Sequence, residues 1–118
     1  MSEKTVKMRL ESILAKIEDI EFIVERHGGI VAALNDREGQ PAILMLIEAI
    51  AEQITKLEKQ NAADRTGFGP ETLRGIKATR NVIAHDYDGI DLALIELGLR
   101  DLIQSKPNLA SAVRLSDR

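Results

Sequence analysis

The stretch Leu73-Arg74-Gly75-Ile76-Lys77-Ala78-Thr79-Arg80-Asn81-Val82-Ile83-Ala84-His85-Asp86-Tyr87 decides how this chain is to be read. At about 100° per residue, Leu73, Ile76, Thr79 and Ile83 share one face, and Arg74, Lys77, Asn81 and His85 share a polar face about 80° wide. Pro70, just upstream, suits a first helical turn, where its missing N–H costs nothing. The spacing predicts a helix from Pro70 to about Ala84, with Asp86 to Gly89 as its exit. A helix with one apolar face needs other elements to cover it.

Those elements lie on both sides. Upstream, Val6, Leu10, Ile13, Ile17, Ile20 and Val24 alternate four and three apart, which predicts a long helix from about Glu3 to Arg26. His27-Gly28-Gly29 is its stop, with His27 favourably placed at the negative end of the helix dipole and given no chemistry. Ile30 to Leu34 is long enough for one or two turns of an extra short helix. Pro41 opens a further helix to about Lys59, whose buried positions are Leu44, Ile47, Ile50 or Ala51, Ile54 and Leu57. Glu48 and Glu52 sit one turn apart on that helix, as a solvated face or as partners for a basic residue on a neighbour. Asn61 to Gly69 is a loop by composition.

Downstream, Leu92, Ile95, Leu99 and Leu102 form the stripe of a helix from about Ile90 to Gln104. Leu94 and Leu97 widen this stripe beyond what one neighbour needs, so they face a further helix or a second chain. Pro107 is expected to end the helix and to leave a loosely held tail. The expectation is an all-α, antiparallel four-helix bundle with short connections and an extra short helix after the first. The helical domain spans residues 1–106 and the tail residues 107–118.

Composition agrees with packed helices and narrows the function. The 118 residues suffice for one domain; 44% are apolar, 30% charged and only 3% aromatic, so Leu, Ile, Val, Ala and Met must build the core. With no Cys there is neither a disulfide framework nor a thiolate metal site, and a reducing cytosol is compatible. Met1 to Lys7 does not resemble a signal peptide, and the longest apolar run, Ala42 to Ile47, is far too short to span a bilayer. A cytoplasmic location without membrane association is expected. The net charge of −3 argues against bulk nucleic-acid binding, so RNA contact would need a local basic patch.

Arg80 projects between Leu73 and Ile76, on the apolar side of its helix. An arginine there must be paired or reach outward; Glu48 or Glu52 would supply a partner. Arg80 and His85 point about 140° apart in one ideal helix. Either the helix ends before His85, or a second copy of the chain completes a site that one copy cannot form. By spacing alone, Arg-Asn at a helix end followed by His-Asp-Tyr could be only a capping arrangement, and a lone His or Tyr is more often structural than catalytic.

The segment Arg80-Asn81-Val82-Ile83-Ala84-His85-Asp86-Tyr87 resembles the motif of the HEPN superfamily, and within it the HepT-like ribonuclease toxins. That branch is marked by Arg, four residues, His, one residue and Tyr, often with a polar residue after the Arg, as Asn81 is here. Leu73-Arg74-Gly75-Ile76 before it and Asp88-Gly89-Ile90-Asp91 after it are similar to the same family, as is the helix order up to about Ser105. One departure is Phe68, where relatives often carry Trp.

The resemblance implies a homodimer with motifs from both chains lining a central cleft, acting as a metal-independent ribonuclease and toxin of a bacterial or archaeal toxin–antitoxin system. Arg80 and His85 would be catalytic, with no cofactor and no metal. Asn81, Tyr87, Lys77 and Arg74 would bind substrate or support the site. The implied antitoxin is a nucleotidyltransferase, and Tyr87, the only tyrosine, is the candidate for O-AMP modification. The residue types suit RNA cleavage. Histidine can take either proton role near neutral pH, and arginine binds phosphate through two parallel hydrogen bonds.

Two other readings compete. The first takes the chain as a non-catalytic partner subunit of a nucleotidyltransferase, docked through or modified on Tyr87. The second takes it as a metal hydrolase using Asp86, Asp88 and Asp91 with His85, although acidic residues also suit a helix start.

Overall fold

The computed structural model describes residues 3–116; residues 1, 2, 117 and 118, which belong to the two expected ranges, lie outside the described residues. The elements are α1 (Glu3–Arg26), α2 (Ile30–Leu34), α3 (Gly39–Lys59), a 3₁₀ turn (Ala63–Thr66), α4 (Pro70–His85), α5 (Leu92–Gln104) and α6 (Lys106–Leu115). All are helical, as the periodicities require, and the short extra helix after α1 is present.

The long helices form a bundle measuring 41 × 28 × 20 Å. Its long axis matches the roughly 36 Å that 24 helical residues span. α1 packs mainly on α3, α3 on α4, and α4 on α5. The stripe Val6, Leu10, Ile13, Ile17 and Ile20 is buried, as are Leu44, Ile47, Ile50, Ala51, Ile54 and Leu57 on α3. Ile50 and Ala51 are both buried, so α3 presents a wider apolar face than a single stripe, and Ile43 extends it further.

Two features differ from expectation. The described residues after Gln104 are not a loose tail: Pro107 stands in the first turn of α6 rather than after the end of α5. α6 lies on α1, and Leu109 is fully buried. The stretch between α3 and α4 is also more ordered than its composition suggests. Thr66 is buried; its hydroxyl donates to the Ala63 carbonyl at 2.8 Å and accepts from the Phe68 amide at 3.0 Å. Phe68 enters the core from this turn. Gly67 has φ 78°, and a Cβ there would meet the Asn108 carbonyl oxygen at 2.7 Å, so the turn packs backbone to backbone against α6.

The start of α3 is fastened by Asp36, whose carboxylate accepts from the backbone amides of Gly39 (2.8 Å) and Glu38 (2.9 Å). These bonds, the Gly39 amide first, hold its pKa below the ordinary carboxylate value, with a smaller contribution from His27. The His27 Nε2 lies 3.1 Å from the same carboxylate and Nδ1 lies 2.8 Å from the Ile23 carbonyl oxygen. His27 thus ties the end of α1 to the start of α3, beyond its interaction with the helix dipole.

Candidate active site on the outer face of α4

α4 runs unbroken through His85, and Asp86 is its C-cap. The helix therefore does not end before His85, and the angular separation of about 140° from Arg80 applies in full. Ile76, Thr79 and Ile83 face the core while Leu73 is half-buried, so the predicted inner face holds. The predicted outer face holds too: Arg74, Lys77, Asn81 and His85 are all exposed.

Arg80 occupies the shoulder of α4 next to α3. It is exposed and lines an open cleft of about 420 Å³ with Met45, Glu48, Glu52 and Thr55. The expected ion pair with Glu48 or Glu52 is not formed. Glu52 pairs with Lys56 at 3.3 Å, and Arg80 makes no hydrogen bond or ion pair among the described residues. The physical reason is reach: a long arginine stem lies along apolar surface while its guanidinium stays in water. Exposed ion pairs contribute about 0–1 kcal/mol, too little to enforce one geometry.

His85, the last residue of the helix, is likewise without a hydrogen-bond partner among the described residues. Tyr87 follows in the exit turn, 53% exposed. Lys77 is engaged by Glu58, Nζ to carboxylate 2.9 Å, so its charge is partly neutralised within the chain. Arg74 has no such partner among the described residues.

The nearby aspartates have structural work. Asp86 accepts from the Gly89 amide at 2.9 Å and folds the exit turn. Asp91 accepts from the Ala93 amide at 3.0 Å and caps α5. Among the described residues no three His, Asp or Glu side chains are grouped as metal ligands would be.

The other shoulder of α4 meets α5 and is apolar. Ala78, Val82, Leu94 and Leu97 line a groove of about 340 Å³ there. Leu94 is 49% and Leu97 66% exposed, so no helix among the described residues covers them. At the base of the groove, a Cβ on Gly98 would collide with the Thr79 hydroxyl, so α4 and α5 approach closely. Sequence reasoning passed over Met45 and Thr55 as neighbours of Arg80. The signal was present: Met45, Glu48, Glu52 and Thr55 are spaced three, four and three apart, a second stripe along α3.

The all-helical bundle is consistent with a HEPN-like domain. A family model described as "Ribonuclease HepT-like" matches residues 13–113. The chain belongs to the HepT-like ribonuclease family. The match includes most of α6, consistent with that helix being part of the bundle. No curated protein and no solved structure matched the chain. No helix among the described residues is long and apolar enough to cross a membrane.

Proposed function

We propose that this chain is a metal-independent endoribonuclease, the toxin component of a bacterial or archaeal toxin–antitoxin system, working in the cytoplasm as a homodimer. One observation carries this reading: Arg80 and His85 are exposed, unengaged and held on divergent faces of one continuous helix. A single chain cannot bring them to one phosphate. A two-fold axis near the outer face of α4 brings two histidines and two arginines around one cleft. The exposed Leu94 and Leu97 supply apolar surface beside that face for the second copy.

Within such a cleft one His85 removes the proton from a ribose 2′-hydroxyl, and that oxygen bonds to the adjacent phosphorus. The P–O5′ bond breaks as the other His85 protonates the departing 5′-oxygen. The products carry a 2′,3′-cyclic phosphate and a 5′-hydroxyl. The Arg80 guanidinia hold the phosphate and balance the charge of the phosphorane. Asn81 orients the phosphate or a neighbour, Arg74 and Lys77 extend a basic rim, and Tyr87 binds substrate. Transfer of AMP from ATP to the Tyr87 hydroxyl by a nucleotidyltransferase antitoxin, releasing pyrophosphate, blocks the cleft with bulk and negative charge.

Unmodified protein is expected to cleave RNA in the presence of EDTA. His85→Ala and Arg80→Ala should each lower the rate by about 100-fold or more without changing the fold by circular dichroism. Full activity in both variants would overturn the reading. The exposure of the lone Tyr87 also fits a second reading, a non-catalytic partner of a nucleotidyltransferase. Absence of RNA cleavage by the unmodified dimer, together with AMP transfer to Tyr87, would favour it.

A further inference from the structure

The cleft between α3 and α4 holds more than the ribonuclease reading uses. Arg80 lines it from α4; Met45, Glu48, Glu52 and Thr55 line it from α3. Glu52 is engaged by Lys56, whereas Glu48 and Arg80 make no hydrogen bond or ion pair among the described residues. The cleft therefore presents one free cationic fork and one free carboxylate. Met45, 73% exposed, adds a flexible apolar surface beside them. Its volume of about 420 Å³ falls within the ordinary range for a small-ligand site.

These groups restrict the occupant. An RNA backbone running through the cleft would be attracted by Arg80 and repelled by Glu48 and Glu52. A nucleotide whose phosphate lies on Arg80 but whose base lies against Glu48 meets no such conflict, provided the base edge offers N–H donors. A carboxylate only accepts, through two oxygens side by side. Guanine matches best, because N1–H and the N2 amino group form two adjacent parallel donors. Cytosine and adenine offer one amino donor next to an acceptor nitrogen. Uracil places its single N3–H between two carbonyl oxygens, which a carboxylate repels. Single-stranded RNA exposes these edges and lets a base lie on a side chain such as Met45.

We infer that Glu48 is a specificity-determining residue that reads the base next to the phosphate held by Arg80, selecting guanine and rejecting uracil. The inference rests on the ribonuclease reading for its substrate. It adds a role for α3, which that reading leaves without one.

The test uses the unmodified protein and short DNA oligonucleotides carrying a single ribonucleotide, with each of the four bases placed in turn on either side of the cleavable phosphate. Cleavage at guanine is expected to exceed cleavage at uracil by roughly 10- to 100-fold in kcat/KM at one of the two positions. Glu48→Gln, which replaces one acceptor oxygen by a donor, should reduce that ratio at least about tenfold. Glu52→Gln should reduce it less. A wild-type enzyme indifferent to the base, or a Glu48→Gln change equal for all four bases, would overturn the inference; the latter would make Glu48 a general repulsive charge.

A binding arm separates this from failure of the ribonuclease reading. Guanosine 3′-monophosphate and uridine 3′-monophosphate are titrated into wild type and Glu48→Gln by calorimetry. Guanine-selective binding that disappears in the variant, with no RNA cleavage, would retain the base-reading site and remove the ribonuclease. Cleavage with neither base preference nor selective binding would do the reverse.

Discussion

α3 and α4 lie side by side and use their surfaces in opposite ways. α3 buries eight of its 21 residues, whereas α4 buries three of its 16. The first is a wall of the core with a narrow polar stripe facing out; the second is a display helix with a narrow apolar strip facing in. α4 can carry exposed, unengaged Arg80 and His85 because α1 and α3 bear most of the packing. A residue's distance from the core is thus expected to separate changes that unfold the protein from changes that act only on the proposed site.

The sharpest way to break this contrast is Leu97→Asp. Leu97 lies outside the core and outside the Arg80–Tyr87 motif, yet it borders the face assigned to the second copy. The variant should sediment as a monomer and lose RNA cleavage by about 100-fold or more, with stability within about 0.5 kcal/mol of the wild type. Full activity in a monomer would end the case for a shared site. On α3, Ile50→Ala should behave in the opposite way. Ile50 is fully buried, so urea unfolding should show a loss of about 2–5 kcal/mol. The fraction that remains folded should keep its activity per molecule. Equal stability would show that α3 is not the wall described.

The smallest effect belongs to Asp36 at the start of α3. Its pKa is lowered in the folded chain, so its contribution is present above the ordinary carboxylate value and fades as pH falls through the folded one. Asp36→Asn should lower Tm at pH 7 by at most a few degrees, and the gap should begin to narrow below about pH 4 and close only once the pH is under the lowered folded pKa. A gap that does not narrow at all as the pH is lowered through the acid range would assign the effect to hydrogen-bond geometry rather than charge.

The long helices were legible because their stripes are long: five buried residues recur at four and three along α1. α6 was not. It has only Leu109 and Val113 as an apolar pair one turn apart, and Pro107 suits both the end of one helix and the start of the next. Burial against α1 decides between these, and burial is not a local property. The outer face of α4 was legible for the same reason as its inner one. The state of Arg80 was only half legible: a helical projection gives the direction of a side chain's root, but not where a flexible stem takes its charge. That is why the anticipated pairing with Glu48 or Glu52 did not form. The Asp86 and Asp91 hydrogen bonds follow residue preferences for turns and caps, the simpler of the two roles their sequence allowed.

The docking of α6 on α1 bears on the order in which the molecule is made. A chain emerging from the ribosome exposes Arg80, His85 and Tyr87 before residues 106–115 are available to seat Leu109 beside α1 and close against the turn at Gly67. Among the described residues α6 is thus made after every other wall of the bundle. A chain still tethered at that stage carries Arg80, His85 and Tyr87 on a core that α6 has not yet closed.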